Sequence, residues 1–138
     1  MKNYVFILFL FLPLFLNGQS SDSTVYKLLD PYYFHLNFLI SEPSLLIDVR
    51  EPFEYRRRRL ADAINIPASR NIDKTTDTID TNTILFLYCT TESRSSWIAT
   101  KLYQRGFREI YLLKGGIAYW RKEGYPTKRG RLKRKNKK

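Results

Sequence analysis

The stretch that decides the fold is Ile84-Leu85-Phe86-Leu87-Tyr88-Cys89-Thr90-Thr91-Glu92-Ser93-Arg94. Its first five residues form an apolar run that predicts a buried strand, and residues 95–105 have the spacing of a helix that ends at Gly106. The only cysteine of the chain therefore lies where a strand turns into a helix. A loop of this kind directs backbone N–H groups inward, in front of a helix dipole, and so favours an anion or a thiolate.

Cys89 has two interpretations when only the residues are considered. A free cysteine without further context is more often a buried packing residue than a reactive one. The loop around Cys89 and the positive charge of Arg94 instead favour a reactive thiol. A single cysteine also forms no internal disulfide, which in an oxidising compartment leaves a reactive or intermolecular thiol.

Five segments of the chain, taken in order, resemble the signature segments of the rhodanese family of sulfurtransferases. They are residues 46–55, 63–67, 88–95, 106–116 and 120–126. The resemblance implies an α/β fold with a central, mostly parallel sheet flanked by helices on both faces, and strands that alternate with helices favour the same class. We expect residues 20–127 to form this one rhodanese-like domain.

The resemblance also implies a mechanism and a set of site residues. Cys89 would be the nucleophile that takes a sulfur atom from thiosulfate or a persulfide donor and passes it to cyanide, a thiol or a protein acceptor. Neither a metal nor an organic cofactor is implied. Asp48 is expected to be structural and Arg50 to act electrostatically, unless Arg50 only forms a surface salt bridge with Glu51 or Glu54. The residues expected to bind substrate are Thr90, Thr91, Ser93, Arg94, Ser95 and Arg50.

Other functions compete with this prediction. Phosphatases of related fold place five residues between cysteine and arginine, whereas four residues separate Cys89 from Arg94, and a shorter ring suits a persulfide better than phosphate. A catalytically weak binding or sulfur-carrier module that docks on an exported partner is the main alternative. Glu92 stands where the family often has glycine, so its charge, and strain if the position needs a positive φ, would slow thiosulfate turnover. This hypothesis predicts that the Glu92→Gly variant turns over thiosulfate faster than the parent protein.

Two further positions depart from the family pattern. Arg58-Arg59, within four consecutive arginines at 56–59, replaces the usual glycine-histidine pair, and Asp62 replaces a glycine. Most charge runs are solvated faces, although such a run can also attract an anionic substrate, and both interpretations stay open. Aspartate is common in turns, so we expect the fold to survive.

The remaining segments predict ordinary structural elements. Asp30 is a helix cap followed by a proline, and the helix behind it contains His35, the only histidine, for which a structural or surface role is expected. Strands are predicted at residues 25–26, 45–49 and 109–113, and a short helix of undefined limits within 68–83. Trp120 is expected in the core.

Composition and the two ends complete the prediction. A chain of 138 residues with 43% hydrophobic residues is one domain at most and can build a core. Residues 1–19 have the pattern of a secretory signal peptide, so we expect an exported protein, periplasmic in a Gram-negative bacterium and otherwise secreted.

Residues 128–138 hold eight of the positive charges behind the net charge of +11. We expect them to be disordered and to touch anionic surfaces without reading a nucleic-acid sequence, because no aromatics are interleaved.

Overall fold

The structure is a computed structural model that describes residues 24–130. Within them, the strands are β1 (Lys27–Leu29), β2 (Ser44–Asp48), β3 (Ile64–Asn65), β4 (Ile84–Tyr88) and β5 (Ile110–Leu113). They form one sheet in the order β1-β5-β4-β2-β3, and all neighbouring pairs are parallel. The apolar run that precedes Cys89 is therefore the central strand, which explains why it is apolar on both faces.

The helices cover both faces of this sheet. They are α1 (Pro31–Ile40), α2 (Pro52–Arg57), α3 (Ile72–Thr76), α4 (Ser93–Gln104) and α5 (Gly116–Lys122). Ile72 of α3 and Leu102 of α4 belong to one buried cluster, whereas Phe34 of α1, Tyr55 of α2 and Trp120 of α5 belong to the other. The predicted fold, a parallel sheet between two layers of helices, is confirmed.

Local signals in the sequence explain where several elements begin. The Asp30 carboxylate accepts the N–H of Tyr33 at 3.2 Å, as the predicted cap requires. The short helix within 68–83 is α3, and it begins after Asn71, whose side chain accepts the N–H of Lys74. The edge strand expected at residues 25–26 lies at 27–29 instead, because its backbone pairs with residues 111–113 of β5.

Three predicted structural residues have clear places in the fold. Asp62 adopts a left-handed backbone with φ of 63°, a conformation that favours glycine but that aspartate tolerates. Trp120 is buried, and its Nε1 donates to the carbonyl of Pro126 at 2.9 Å. The ring of His35 packs edge-on against Trp120, with 5.6 Å between centroids. These contacts agree with structural roles for both aromatic side chains.

The structure describes the two ends of the chain only in part. The predicted signal peptide at residues 1–19 lies outside the described residues, as do residues 131–138 of the tail. The prediction that disorder begins at Lys128 is wrong, because Lys128 pairs with Arg59 in an antiparallel bridge and Gly130 donates its N–H to the carbonyl of Arg56. None of the helices found within residues 24–130 combines the length and the apolar character of a membrane span.

Candidate active site

The candidate site is the connection between the central strand and helix α4. Cys89 directly follows β4, and α4 begins at Ser93, two residues before its predicted start. Residues 93–95 are thus the first helical turn, and residues 90–92 are the connecting loop. Cys89 is 1% exposed, so its thiol lies beneath the loop rather than on the surface. We call residues 89–95 the active-site loop.

The backbone of the active-site loop leaves a run of N–H groups free. Among the described residues, the N–H groups of residues 90–95 donate to no carbonyl or side chain. Glu92, at the cap position, offers no side-chain acceptor to its own helix. Because unpaired N–H groups at the start of a helix attract negative charge, this backbone is suited to an anion.

The carbonyl groups of the same loop are held by helix α5. Cys89 accepts the N–H of Ile117 at 3.0 Å, and Thr90 accepts the N–H of Ala118 at 3.1 Å. Gly116 allows this close approach. A Cβ atom at Gly116 would lie 2.5 Å from the carbonyl oxygen of Cys89 and would overlap that of Thr91. The glycine pair 115–116 therefore brings α5 against the loop.

Glu92 also connects the loop to α5. Its carboxylate accepts the N–H of Gly115 at 2.6 Å. Its φ is −139°, so the position requires no glycine, and the predicted backbone strain from a missing glycine is wrong. Glu92 therefore braces the loop against α5, and its carboxylate also carries a negative charge.

Arg94 pairs with a residue that the sequence did not place in the site. Its guanidinium donates to the two carboxylate oxygens of Glu54 at 2.7 and 3.0 Å, and to the Thr90 hydroxyl at 2.8 Å. Thr90 in turn donates to Glu54 at 3.0 Å. Arg94 therefore ties the loop to α2, and its charge is already balanced by a carboxylate.

Because of these contacts, the contribution of the Glu54 carboxylate to the stability of the fold depends on pH. Hydrogen bonds from Arg94, and further ones from the Glu51 N–H and Thr90, lower the pKa of Glu54 to about 2 from 4.5, although burial opposes the shift. A carboxylate with a lowered pKa stabilises the fold above its ordinary pKa, and this stability is lost as the pH falls from 4.5 toward 2.

We expect Glu54→Gln to be less stable than the parent protein by about 2 kcal/mol at neutral pH, after allowance for solvent screening. Most of this difference should be gone at about pH 2.5, where the parent carboxyl is becoming protonated. Urea unfolding at both pH values measures the difference. Glu123→Gln, at an exposed position without a described salt bridge, is the control. A difference that is independent of pH would contradict the ion-pair explanation.

Arg50 and Asp48 form a second ion pair, which is buried. The Arg50 guanidinium donates to both oxygens of Asp48, the shortest contact being 2.6 Å, and also to the carbonyl of Arg58. The suggested surface salt bridge of Arg50 with Glu51 or Glu54 is wrong. Asp48 is fully buried, so its predicted structural role agrees with this geometry.

The remaining predicted residues divide between the loop interior and its surface. The Ser95 hydroxyl lies 3.6 Å from the Cys89 sulfur and donates to the Glu92 carbonyl at 2.9 Å. Rotation of this hydroxyl would let it donate to a thiolate or persulfide instead. Thr91 and Ser93 are exposed, and their side chains have no described contact with Cys89.

Sequence reasoning missed two functional positions, Glu54 and Gly116. Glu54 lies two residues after a proline that begins α2, in a stretch whose acidic residues looked like surface charges. Its spacing from Arg94 along the chain carries no signal, since only the parallel pairing of β2 with β4 brings the two elements together. Two adjacent glycines before a helix indicate a turn, and at Gly116 they also permit the close approach of α5 to the loop.

Comparisons with known proteins add to this geometry. The family model for the rhodanese-like domain matches residues 35–123. The uncharacterized protein YqhL of Bacillus subtilis is 41% identical over 75 residues, which cover 54% of this chain and 59% of YqhL. A protein of Allochromatium vinosum named sulfurtransferase is 30% identical over 86 residues, which cover 62% of this chain and 79% of the relative. This chain thus spans less than two thirds of the length of YqhL.

A solved structure resembles the fold closely. The crystal structure of a rhodanese-related protein from Thermoplasma volcanium has a TM-score of 0.65 and is 29% identical. The similarity covers 75% of this chain and 98% of that one. The shared part is therefore nearly the whole of the Thermoplasma chain.

Proposed function

This chain belongs to the rhodanese-like domain family, and from that membership we propose that it is a sulfurtransferase that carries sulfur as a persulfide on Cys89. The observation that supports the proposal best is the active-site loop, where a lone cysteine precedes the free N–H groups of residues 90–95. A thiolate and a persulfide are both anions, and such N–H groups stabilise both.

The proposed reaction has two steps. The Cys89 thiolate attacks the outer sulfur of thiosulfate, the bond between the two sulfur atoms of thiosulfate breaks, and sulfite leaves with the electron pair. Cyanide or a thiolate then attacks the outer sulfur of the Cys89 persulfide, and the thiolate of Cys89 is restored. A small-molecule persulfide can replace thiosulfate, with its thiolate as the leaving group. No net oxidation occurs, so the cycle needs no redox cofactor.

Individual residues have distinct parts in this proposal. Cys89 is the catalytic residue, and Ser95 stabilises its charged forms through the hydroxyl. The N–H groups of the loop bind the anionic donor. Arg94 and Glu54 are positioning residues, because they hold the loop between α2 and α4. Arg50 supports the same region from the buried pair with Asp48.

The test is a sulfur-transfer assay on the purified protein. Thiosulfate with cyanide should give thiocyanate, and a persulfide donor with a thiol acceptor should give transfer at a rate that depends on protein concentration. If neither donor supports transfer, the enzymatic proposal fails. The alternative of a binding or sulfur-carrier module on an exported partner would then be pursued by testing whether Cys89 accepts sulfur from another protein.

Glu92 provides a further prediction. Glu92→Gln removes the negative charge beside the loop but keeps an oxygen that can accept the N–H of Gly115. We expect thiosulfate turnover to rise about tenfold, because a dianionic donor is no longer repelled. Glu92→Gly removes the charge and also the brace, so it should gain less than the glutamine variant. If Glu92→Gln turns over thiosulfate no faster than the parent protein at low salt, this result would contradict the electrostatic explanation.

A further inference from the structure

A cavity of about 300 Å³ lies beside the active-site loop, between helices α2 and α5. Thr90 belongs both to the loop and to the cavity wall. Phe53, Ile117 and Ala118 contribute apolar surface. The charged residues of the lining are Arg50, Glu54, Arg57, Arg58 and Arg121. We call this space the arginine cavity.

The arginine cavity has an excess of positive charge. Two of its charged groups already have partners, since Arg50 pairs with Asp48 and Glu54 pairs with Arg94. Within residues 24–130, the other three form no salt bridge: Arg57, Arg58 and Arg121. A cavity whose cations lack a protein counter-charge attracts anionic ligands and raises their local concentration.

Arg58 lies close enough to Arg57 and Arg121 for their charges to act on it. Burial and the positive charges of Arg121, Arg129 and Arg57 lower the pKa of Arg58. Mutual repulsion of this kind is relieved when an anion binds between the guanidinium groups. The side chains that take part come from α2, from the residue after it and from α5, so they surround the space from two sides.

The position of the cavity indicates which molecule would use it. The carbonyls of Cys89 and Thr90 are bonded to Ile117 and Ala118, so the cavity wall is continuous with the backbone of the loop. Thr90, the residue after Cys89, lines the cavity, so a molecule bound there lies next to the active-site loop. A concave space of this volume suits a small molecule better than a folded protein.

Resting on the proposed sulfur transfer, we propose that the arginine cavity binds the carboxylates of the sulfur donor or acceptor, so that the preferred substrate is a small thiol or persulfide with at least two carboxylates. Arginines placed on two elements suit two separate anionic groups, and guanidinium groups bind carboxylates through paired hydrogen bonds. The apolar surface of Phe53 and Ile117 fits the carbon chain between such groups.

Acceptor kinetics test this specificity. Mercaptosuccinate, with two carboxylates, and the neutral 1-thioglycerol are compared as acceptors for the persulfide protein. We expect the KM for mercaptosuccinate to be lower by about tenfold to a hundredfold, and the preference to disappear in the double variant Arg58→Gln, Arg121→Gln. The rate with 1-thioglycerol should change little. Equal KM values for the two acceptors in the parent, or a preference that survives in the variant, would overturn the proposal.

A matched variant controls for the loss of charge. Arg70→Gln with Arg108→Gln also removes two positive charges, from exposed positions that do not line the cavity. This control should keep the preference for mercaptosuccinate. If it loses the preference to the same extent, the effect comes from net charge and the cavity has no specific part.

A binding experiment that requires no sulfur transfer tests the arginine cavity independently of the proposed function. Calorimetry with methylthiosuccinate, which has no free thiol, is carried out on Cys89→Ser protein, where sulfur transfer is not needed. Binding that is lost in the added Arg58→Gln, Arg121→Gln background supports the cavity even if the enzyme assay fails. Binding of inorganic pyrophosphate with no binding of methylthiosuccinate would overturn the assignment to carboxylates. Absence of binding by both probes would overturn the site itself.

Discussion

Cys89→Ser is expected to reduce sulfur transfer by at least about a thousandfold, with the fold retained. The thiolate is the attacking group, and a serine hydroxyl is neither ionised near neutral pH nor able to hold sulfur as a persulfide. The smaller oxygen fits the same buried space and can hydrogen-bond with Ser95, whose hydroxyl lies 3.6 Å from the sulfur. Thiocyanate formation measures the loss, and thermal unfolding checks the fold.

Ser95→Ala is the matched variant for this experiment. It keeps the thiol but removes the hydroxyl beside it, so a reduction of about tenfold is expected from the lost hydrogen bond to the charged sulfur. Transfer that survives in Cys89→Ser would mean that sulfur passes through the protein without a persulfide on Cys89. A loss in Ser95→Ala as large as that in Cys89→Ser would show that the hydroxyl is essential rather than supporting.

Gly116→Ala is expected to have the second largest effect, a loss of about 3 to 5 kcal/mol in the free energy of unfolding. The new Cβ would lie 2.5 and 2.6 Å from the carbonyl oxygens of Cys89 and Thr90 and would overlap that of Thr91. Backbone atoms cannot move aside as a flexible side chain can. In addition, φ at Gly116 is +57°, where alanine is strained. Urea unfolding measures the stability, and activity should fall because the loop is displaced.

Gly124→Ala separates the overlap from the backbone strain. Gly124 has a φ of +81°, but a Cβ atom added there meets nothing within 4 Å. This variant should lose only about 1 kcal/mol and keep its activity. Equal losses in the two glycine variants would contradict the idea that α5 is packed against the loop through Gly116.

Much of the site could be predicted from local patterns. The run before Cys89 is apolar at every position because β4 is the central strand and is covered on both faces. The helix behind the loop and the capped start of α1 also follow from neighbouring residues, since caps and helical spacing act over a few positions. The order of these elements is sufficient to place Cys89 at the carboxyl end of a strand.

The partners of the charged residues could not be predicted in the same way. Arg94 and Glu54 are forty positions apart in the chain, and their contact depends on how α2 and α4 sit on the sheet. Arg50 pairs with Asp48, two residues away, instead of with Glu51 or Glu54. Burial decides between such partners, and burial is a property of the tertiary structure.

The surroundings of the four consecutive arginines at residues 56–59 also could not be predicted from the sequence. One member, Arg59, is buried with its guanidinium over the Tyr55 ring and a hydrogen bond to the Gly130 carbonyl. Arg57 and Arg58 instead line the arginine cavity. Four identical neighbours in the sequence thus have different surroundings, which composition alone cannot separate.

The intact mass of the purified protein after incubation with thiosulfate, followed by peptide mapping, tests the central claim most directly. The account predicts a gain of one sulfur atom, located on the peptide that contains Cys89 and removed by cyanide. Cys89→Ser protein, treated in the same way, should gain nothing. An unchanged mass with both thiosulfate and a persulfide donor, or an added sulfur that persists in Cys89→Ser, would contradict a persulfide on Cys89.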